Sequence, residues 1–238
     1  MTISDKVGGQ LDLVINSLFT AIRLIYTGDQ QVFSITARTL IISSTSTSIA
    51  ALIFIPVGSF IHFQAFPGKG LLINMIQTLF SMPTVFVGLL VFITFSSDGP
   101  LGSLGILFSP TAIIIGHVIL ISPIISGLTM SALRGVPPEI QDTARSLGAT
   151  RMQTIFTMIS EAKYGVSTAV LLGFGRAISE IGLAIIVGGN IRGYTRTLTT
   201  SMSLETSVGN FEVAMALGII LVTLALLVNI LVSKFQHR

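Results

Sequence analysis

Four long stretches of this chain carry no Asp, Glu, Lys or Arg, and no other feature restricts the fold as tightly. They are Thr39–Gly68 with 30 residues, Gly70–Ser97 with 28, Gly99–Leu133 with 35 and Val213–Ser233 with 21. A helix rises about 1.5 Å per residue, so each is long enough to cross about 30 Å of hydrocarbon. Only 10% of the 238 residues are charged, against roughly 25% in a soluble domain. The mean hydropathy is +0.88. Such a chain cannot cover a water-facing surface, and the predicted fold class is all-α, a polytopic membrane helical bundle.

Clusters at Pro56-Val57-Gly58, Phe66-Pro67-Gly68, Asp98-Gly99-Pro100 and Pro137-Pro138 are expected to punctuate the helices. The predicted spans are Leu11–Tyr26, Ile35–Val57, Leu71–Phe95, Thr111–Leu133, Gly165–Gly189 and Phe211–Ser233. The last five form the core. The first is short and carries Asp12 and Arg23, so it either crosses as a sixth span or lies along the interface. Pro83 and Pro123 are expected to kink their spans. Residues 1–238 read as one transmembrane domain without internal repeats, with a polar cytoplasmic segment at about 135–163. Met1–Gln10 is polar and lacks signal-peptide features, so the first apolar stretch is expected to stay.

Basic loop residues set the orientation. With the segment between spans four and five in the cytoplasm, Lys6, Lys69, Arg134, Arg145, Arg151, Lys163, Lys234 and Arg238 face inward. Arg192 and Arg196 face outward. Both termini are then cytoplasmic. The three tyrosines (Tyr26, Tyr164 and Tyr194) fall at or near span ends, where amphipathic rings prefer to sit.

Several chemistries find no support. Cysteine is absent, which excludes disulfides and thiolate sites. His62, His117 and His237 are scattered without ligand spacing, so no metal site is expected. His117 is expected to be a packed, hydrogen-bonded side chain. Gly68-Lys69-Gly70 lacks the spacing of a phosphate loop, so ATP is expected to bind elsewhere. The basic residues form no patch with interleaved aromatics, and nucleic acid is not an expected partner.

The polar segment carries the most information. Pro137-Pro138 ends the fourth span and suits a new helix start. Glu139 and Asp142 occupy its first turn, Arg145 follows near its end, and Gly148 stands where a left-handed cap belongs. Thr150 and Gln153 have capping-box spacing for a second helix over Arg151–Lys163. Two short helices meeting at a glycine make a rigid cytoplasmic knob, suited to a motor protein; a bare connector is the plainer alternative.

The segment resembles the cytoplasmic signature of ABC importer permeases, E-A-A-x3-G-x9-I-x-L-P. Asp142-Thr143-Ala144 stands for E-A-A, Gly148 holds the glycine position, and Met158-Ile159-Ser160-Glu161 replaces I-x-L-P. Thr143, Ser160 and Glu161 depart from it. Arg145–Ala149, Glu161-Ala162-Lys163, Gly173–Glu180, Val187–Asn190 and Thr195–Thr200 resemble the tungstate branch of these permeases. The resemblance implies a type I importer fold and a homodimer. It also implies a separate ATPase dimer that holds ATP and Mg, and an external oxyanion-binding protein. The chain itself would be non-catalytic and bind no cofactor, in a bacterial or archaeal cytoplasmic membrane. Coupling to the ATPase is carried over onto Asp142, Ala144 and Gly148, with Glu139, Arg145 and Ala149 beside them. Tungstate is the expected cargo, with molybdate, sulfate and phosphate as alternatives. An ATP-independent transporter or a membrane scaffold are the competing classes.

Within the spans, Arg176 and Glu180 lie four residues apart and are expected to pair. They either line the pathway or lock a helix to its neighbour. Gly173, Gly175, Gly182, Gly188 and Gly189 permit close helix approach. Asn190, Arg192, Arg196, Thr195, Thr197, Thr199 and Thr200 are expected to form an outer loop rich in donors, either an oxyanion mouth or a solvated contact surface. Asn190 and Arg196 join Arg176 and Glu180 as candidate pathway residues. Arg38 is expected to snorkel, and Ser43–Ser48 to bond back to helix carbonyls or meet a neighbouring helix.

Overall fold

The computed structural model describes the backbone of residues 3–236 and the side chains of Asp12 and residues 14–230. The side chains of Lys6 and Lys234, and all of His237 and Arg238, lie outside the described residues. Among the described residues the chain is helical without strands. Helix α1 covers Ile3–Tyr26, α2 Gln30–Phe63, α3 Lys69–Thr78, α4 Thr84–Phe95, α5 Pro110–Arg134 and α6 Pro138–Ser146. Helix α7 covers Arg151–Glu161, α8 Lys163–Ile178, α9 Gly182–Gly188, α10 Leu198–Ser207 and α11 Phe211–Gln236.

Three helices, α2, α5 and α11, are each long and apolar enough to span a membrane. The pairs α3/α4 and α8/α9 pass the same test together, which brings the total to five when each bent pair is counted as one span. Helix α1 contributes a shorter apolar stretch, Val14–Tyr26, and packs along α11. Large apolar side chains such as Phe19, Leu52, Leu71, Ile93 and Val222 stand exposed, as expected where the solvent is lipid.

Both bent pairs correct the sequence expectation of continuous spans. The third is split by 99° between α3 and α4. Pro83 pushes Met82 into extended backbone, with ψ 130°, because the ring crowds the residue before it. A 3₁₀ turn, Leu79–Ser81, fills the corner. The fifth span bends by 61° between α8 and α9. Pro56 and Pro123 sit inside helices that run on past them, so the break expected at Pro56-Val57-Gly58 does not occur. At Pro56 the helix is supported by packing: a Cβ on Gly58 would lie 2.5 Å from the Ser126 carbonyl oxygen, so α2 and α5 touch backbone to backbone there.

The main core gathers Ile42 and Ala50 of α2, Val87 and Val91 of α4, Ile113, Ile121 and Ile125 of α5, and Leu183 and Val187 of α9. Glycines let α9 settle between its neighbours. A Cβ on Gly116 would meet Leu183 at 2.6 Å, and one on Gly188 would meet Ile113 at 2.7 Å. A smaller cluster of Leu133, Met158, Ala162 and Val166 joins α5, α7 and α8.

Candidate functional site: the broken fifth span and the polar knob

Arg176 lies in the last turn of α8 and Glu180 follows at the break. Arg176 Nη1 donates to Glu180 Oε2 at 3.1 Å, the one ion pair among the described residues. The other carboxylate oxygen, Oε1, accepts from the Leu183 N–H at 3.0 Å and so caps α9. A carboxylate there is favoured by the unpaired amides of a helix start. The Glu180 side chain is 2% exposed and that of Arg176 is 35% exposed. The pair predicted from spacing is therefore present, and its acid also holds the bend.

Arg176 opens onto a cavity of about 820 Å³ between α5, α8 and α11. Phe80, Ile124, Leu128 and Leu172 give it an apolar wall, while Ser179 and Asn229 add polar groups. Gly175 lines it with nothing within 4 Å of a Cβ, so this glycine leaves room instead of closing a contact. Spacing did not single out Asn229; its only sequence signal is a lone amide inside the charge-free final span. An apolar wall around a guanidinium strengthens any contact it makes with an anion.

In the segment at 190–200 the four threonines differ from expectation. Thr195, Thr197, Thr199 and Thr200 are buried, at 0–3% exposure, and form no solvated mouth. Thr197 and Thr200 make a capping box that starts α10. The Thr199 hydroxyl donates to the Glu180 carbonyl at 2.8 Å. Arg196 Nε donates to Asn190 Oδ1 at 3.2 Å, and neither residue lines the Arg176 cavity. Arg38 donates to the carbonyls of Arg196 and Gly193 at 3.0 and 2.8 Å. Thr39 accepts from the Leu198 N–H at 2.9 Å. Arg192 donates to Gln31 at 2.7 Å. The hydroxyl run behaves as expected at Ser46, which bonds back to Ile42 at 2.7 Å. Thr47 has no partner. His117 is buried, but neither ring nitrogen is hydrogen-bonded, which corrects the expectation of a bonded histidine.

The knob follows the sequence reading except at Asp142, which stands in the middle of α6 and not in its first turn. Helix α6 has Glu139 in its first turn and Arg145 in its last. Gly148 adopts φ +80°, and its N–H donates to Arg145 at 3.0 Å. The Ala149 N–H donates to the Ala144 carbonyl at 3.0 Å. The Thr150–Gln153 capping box opens α7. The knob has two faces. Glu139, Thr143, Ala144 and Leu147 line one groove. Gln141, Arg145 and Arg151 line a second, closed by Phe63 at the end of α2. Asp142 lines neither and is exposed.

Comparison with known proteins places this architecture. A "Probable anion ABC transporter permease protein" of Haloferax volcanii is 40% identical, over 86% of this chain and 90% of its own length. The "Tungstate uptake system permease protein TupB" of Peptoclostridium acidaminophilum is 38% identical over 96% of this chain and all of the relative. Among solved structures, a bacterial ABC transporter involved in the import of the acidic polysaccharide alginate superposes with a TM-score of 0.75 at 17% identity. That match covers 98% of this chain and 89% of the other. The fold is thus that of type I ABC importer permeases. The family described as "Binding-protein-dependent transport system inner membrane component" matches residues 54–238. With three apolar spans, two bent apolar helix pairs and permease relatives matched over most of their length, the chain belongs to this family, as a multi-pass inner-membrane permease of the ABC transporter class.

Proposed function

We propose that this chain is the membrane-spanning subunit of an ATP-driven importer for tungstate. The observation that carries this is the full-length likeness to permeases named for tungstate uptake, at 38% and 35% identity. A molybdenum permease of Escherichia coli reaches 28% over 84% of the chain. Tungstate is therefore preferred over its tetrahedral relatives. The chain works as a homodimer, with both termini in the cytoplasm. A separate ATPase dimer binds ATP and Mg and docks on the knob, where Glu139, Asp142, Ala144, Arg145, Gly148 and Ala149 form or support the contact. A soluble binding protein delivers the anion from outside.

In the membrane, Arg176 gives the passing dianion a charge-assisted contact. Glu180 keeps that contact weak enough for release, since conduction needs sites that let go. Asn190 and Arg196 shape the outer end of the route. The test is uptake of labelled tungstate into proteoliposomes that contain this chain, its ATPase and its binding protein. ATP-dependent accumulation of tungstate ahead of molybdate and sulfate is expected. Equal uptake of all three, or uptake without ATP, refutes the reading.

A further inference from the structure

The carbonyl of Glu180 lies where the helical ladder of the fifth span is interrupted, and no backbone N–H donates to it. Its partner is the Thr199 hydroxyl at 2.8 Å. Thr199 is 2% exposed and sits in the first turn of α10, nineteen residues further along the chain. Inside a membrane protein a freed carbonyl must find such a donor. The same residue's carboxylate is shared between Arg176 and the Leu183 N–H. Thr199 therefore grips the backbone of the residue whose side chain orients the guanidinium facing the cavity.

The grip is anchored. The Leu198 N–H, beside Thr199, donates to Thr39 of α2, and Arg38 holds the carbonyls of Gly193 and Arg196. Arg192 and Tyr194, on the same outer segment, are exposed. We propose that Thr199 is a positioning residue for transport. By holding the Glu180 carbonyl it sets the aim of Arg176, and it links the outer segment at 190–200 to the intramembrane anion contact. A protein docking outside pulls on Thr199. Thr199 turns Glu180, and Glu180 releases or retains the guanidinium.

This inference rests on the importer reading. If the unaltered complex moves no oxyanion, that reading fails. The Thr199 claim is judged only by how the variants differ from a working complex. Contiguity alone does not establish coupling, so the experiment is a double-mutant cycle. Tungstate uptake is measured in the reconstituted complex for Thr199→Val, Arg176→Gln and both together. Each single change is expected to lower the maximal rate about tenfold, with assembly and the KM for loaded binding protein unchanged. The double variant is expected to transport no more slowly than Arg176→Gln alone. Thr199→Ser keeps the hydroxyl and is expected to stay within about twofold of the unaltered chain. If Thr199→Val does not assemble, Thr199→Ala takes its place in the cycle, and the serine result stands on its own. A double variant slowed about a hundredfold means the two residues act independently and overturns the proposal. Normal transport by Thr199→Val, or loss in Thr199→Ser, overturns it as well.

Discussion

Substituting Gly148 tests the knob through backbone geometry alone. Its φ is +80°, and a Cβ built on it meets nothing within 4 Å, so an added methyl group collides with nothing in the chain. An ordinary L-residue in the left-handed region costs roughly 1–2 kcal/mol, and Asn less because it bonds locally. That cost for Gly148→Ala corresponds to a roughly 5–30-fold shift in the share of knobs with the native turn. Proline is locked near −65° and cannot take this conformation. It also deletes the N–H that donates to Arg145 at 3.0 Å, so α6 and α7 lose their mutual angle. The ATPase subunit is titrated against the purified membrane chain and its apparent Kd is read for each variant. The expected order of affinity is glycine close to asparagine, then alanine, with proline far below. A Gly148→Pro chain that holds the ATPase normally refutes the docking assignment. Alanine and asparagine weakened equally would refute the backbone argument, because only a collision with the partner treats them alike.

Two further outcomes follow from packing. Gly58→Ala places a Cβ 2.5 Å from the Ser126 carbonyl oxygen and 3.1 Å from its Cα. Backbone cannot rotate away, so a loss of about 1–3 kcal/mol is expected, seen as a lower unfolding midpoint in detergent; an unchanged midpoint would deny the α2–α5 contact. Arg38→Gln removes the donors to Gly193 and Arg196, and amide exchange across 191–197 should rise at least about tenfold by mass spectrometry, since even one charged bond contributes roughly 1.5–3 kcal/mol. Unchanged exchange would mean that segment is held by its buried threonines alone.

The spans were legible because lipid excludes charge, and Thr39–Gly68 or Gly99–Leu133 announce that directly. The knob was legible because its signals are local: a proline pair, a glycine and a capping box act within a few residues. The Arg176–Glu180 pair followed from helical spacing for the same reason. The breaks in spans three and five were harder to read. Pro56, Pro83 and Pro123 look alike in sequence, and only Pro83 interrupts its helix, because packing decides whether a helix survives the missing bond. The buried threonines were misread because Thr195–Thr200 is polar in composition, while its hydroxyls are satisfied by Glu180, Gly188 and one another. Those partners are distant in sequence or created by the fold, and no spacing rule reveals them.

Helix α2 is 34 residues long, about 51 Å at 1.5 Å per residue. Near one end it holds the segment at 193–198 through Arg38 and Thr39. At the other, Phe63 closes the groove beside Arg145 and Arg151. One helix thus touches both the segment that grips Glu180 and the knob, so a change at either has a direct covalent route to the other.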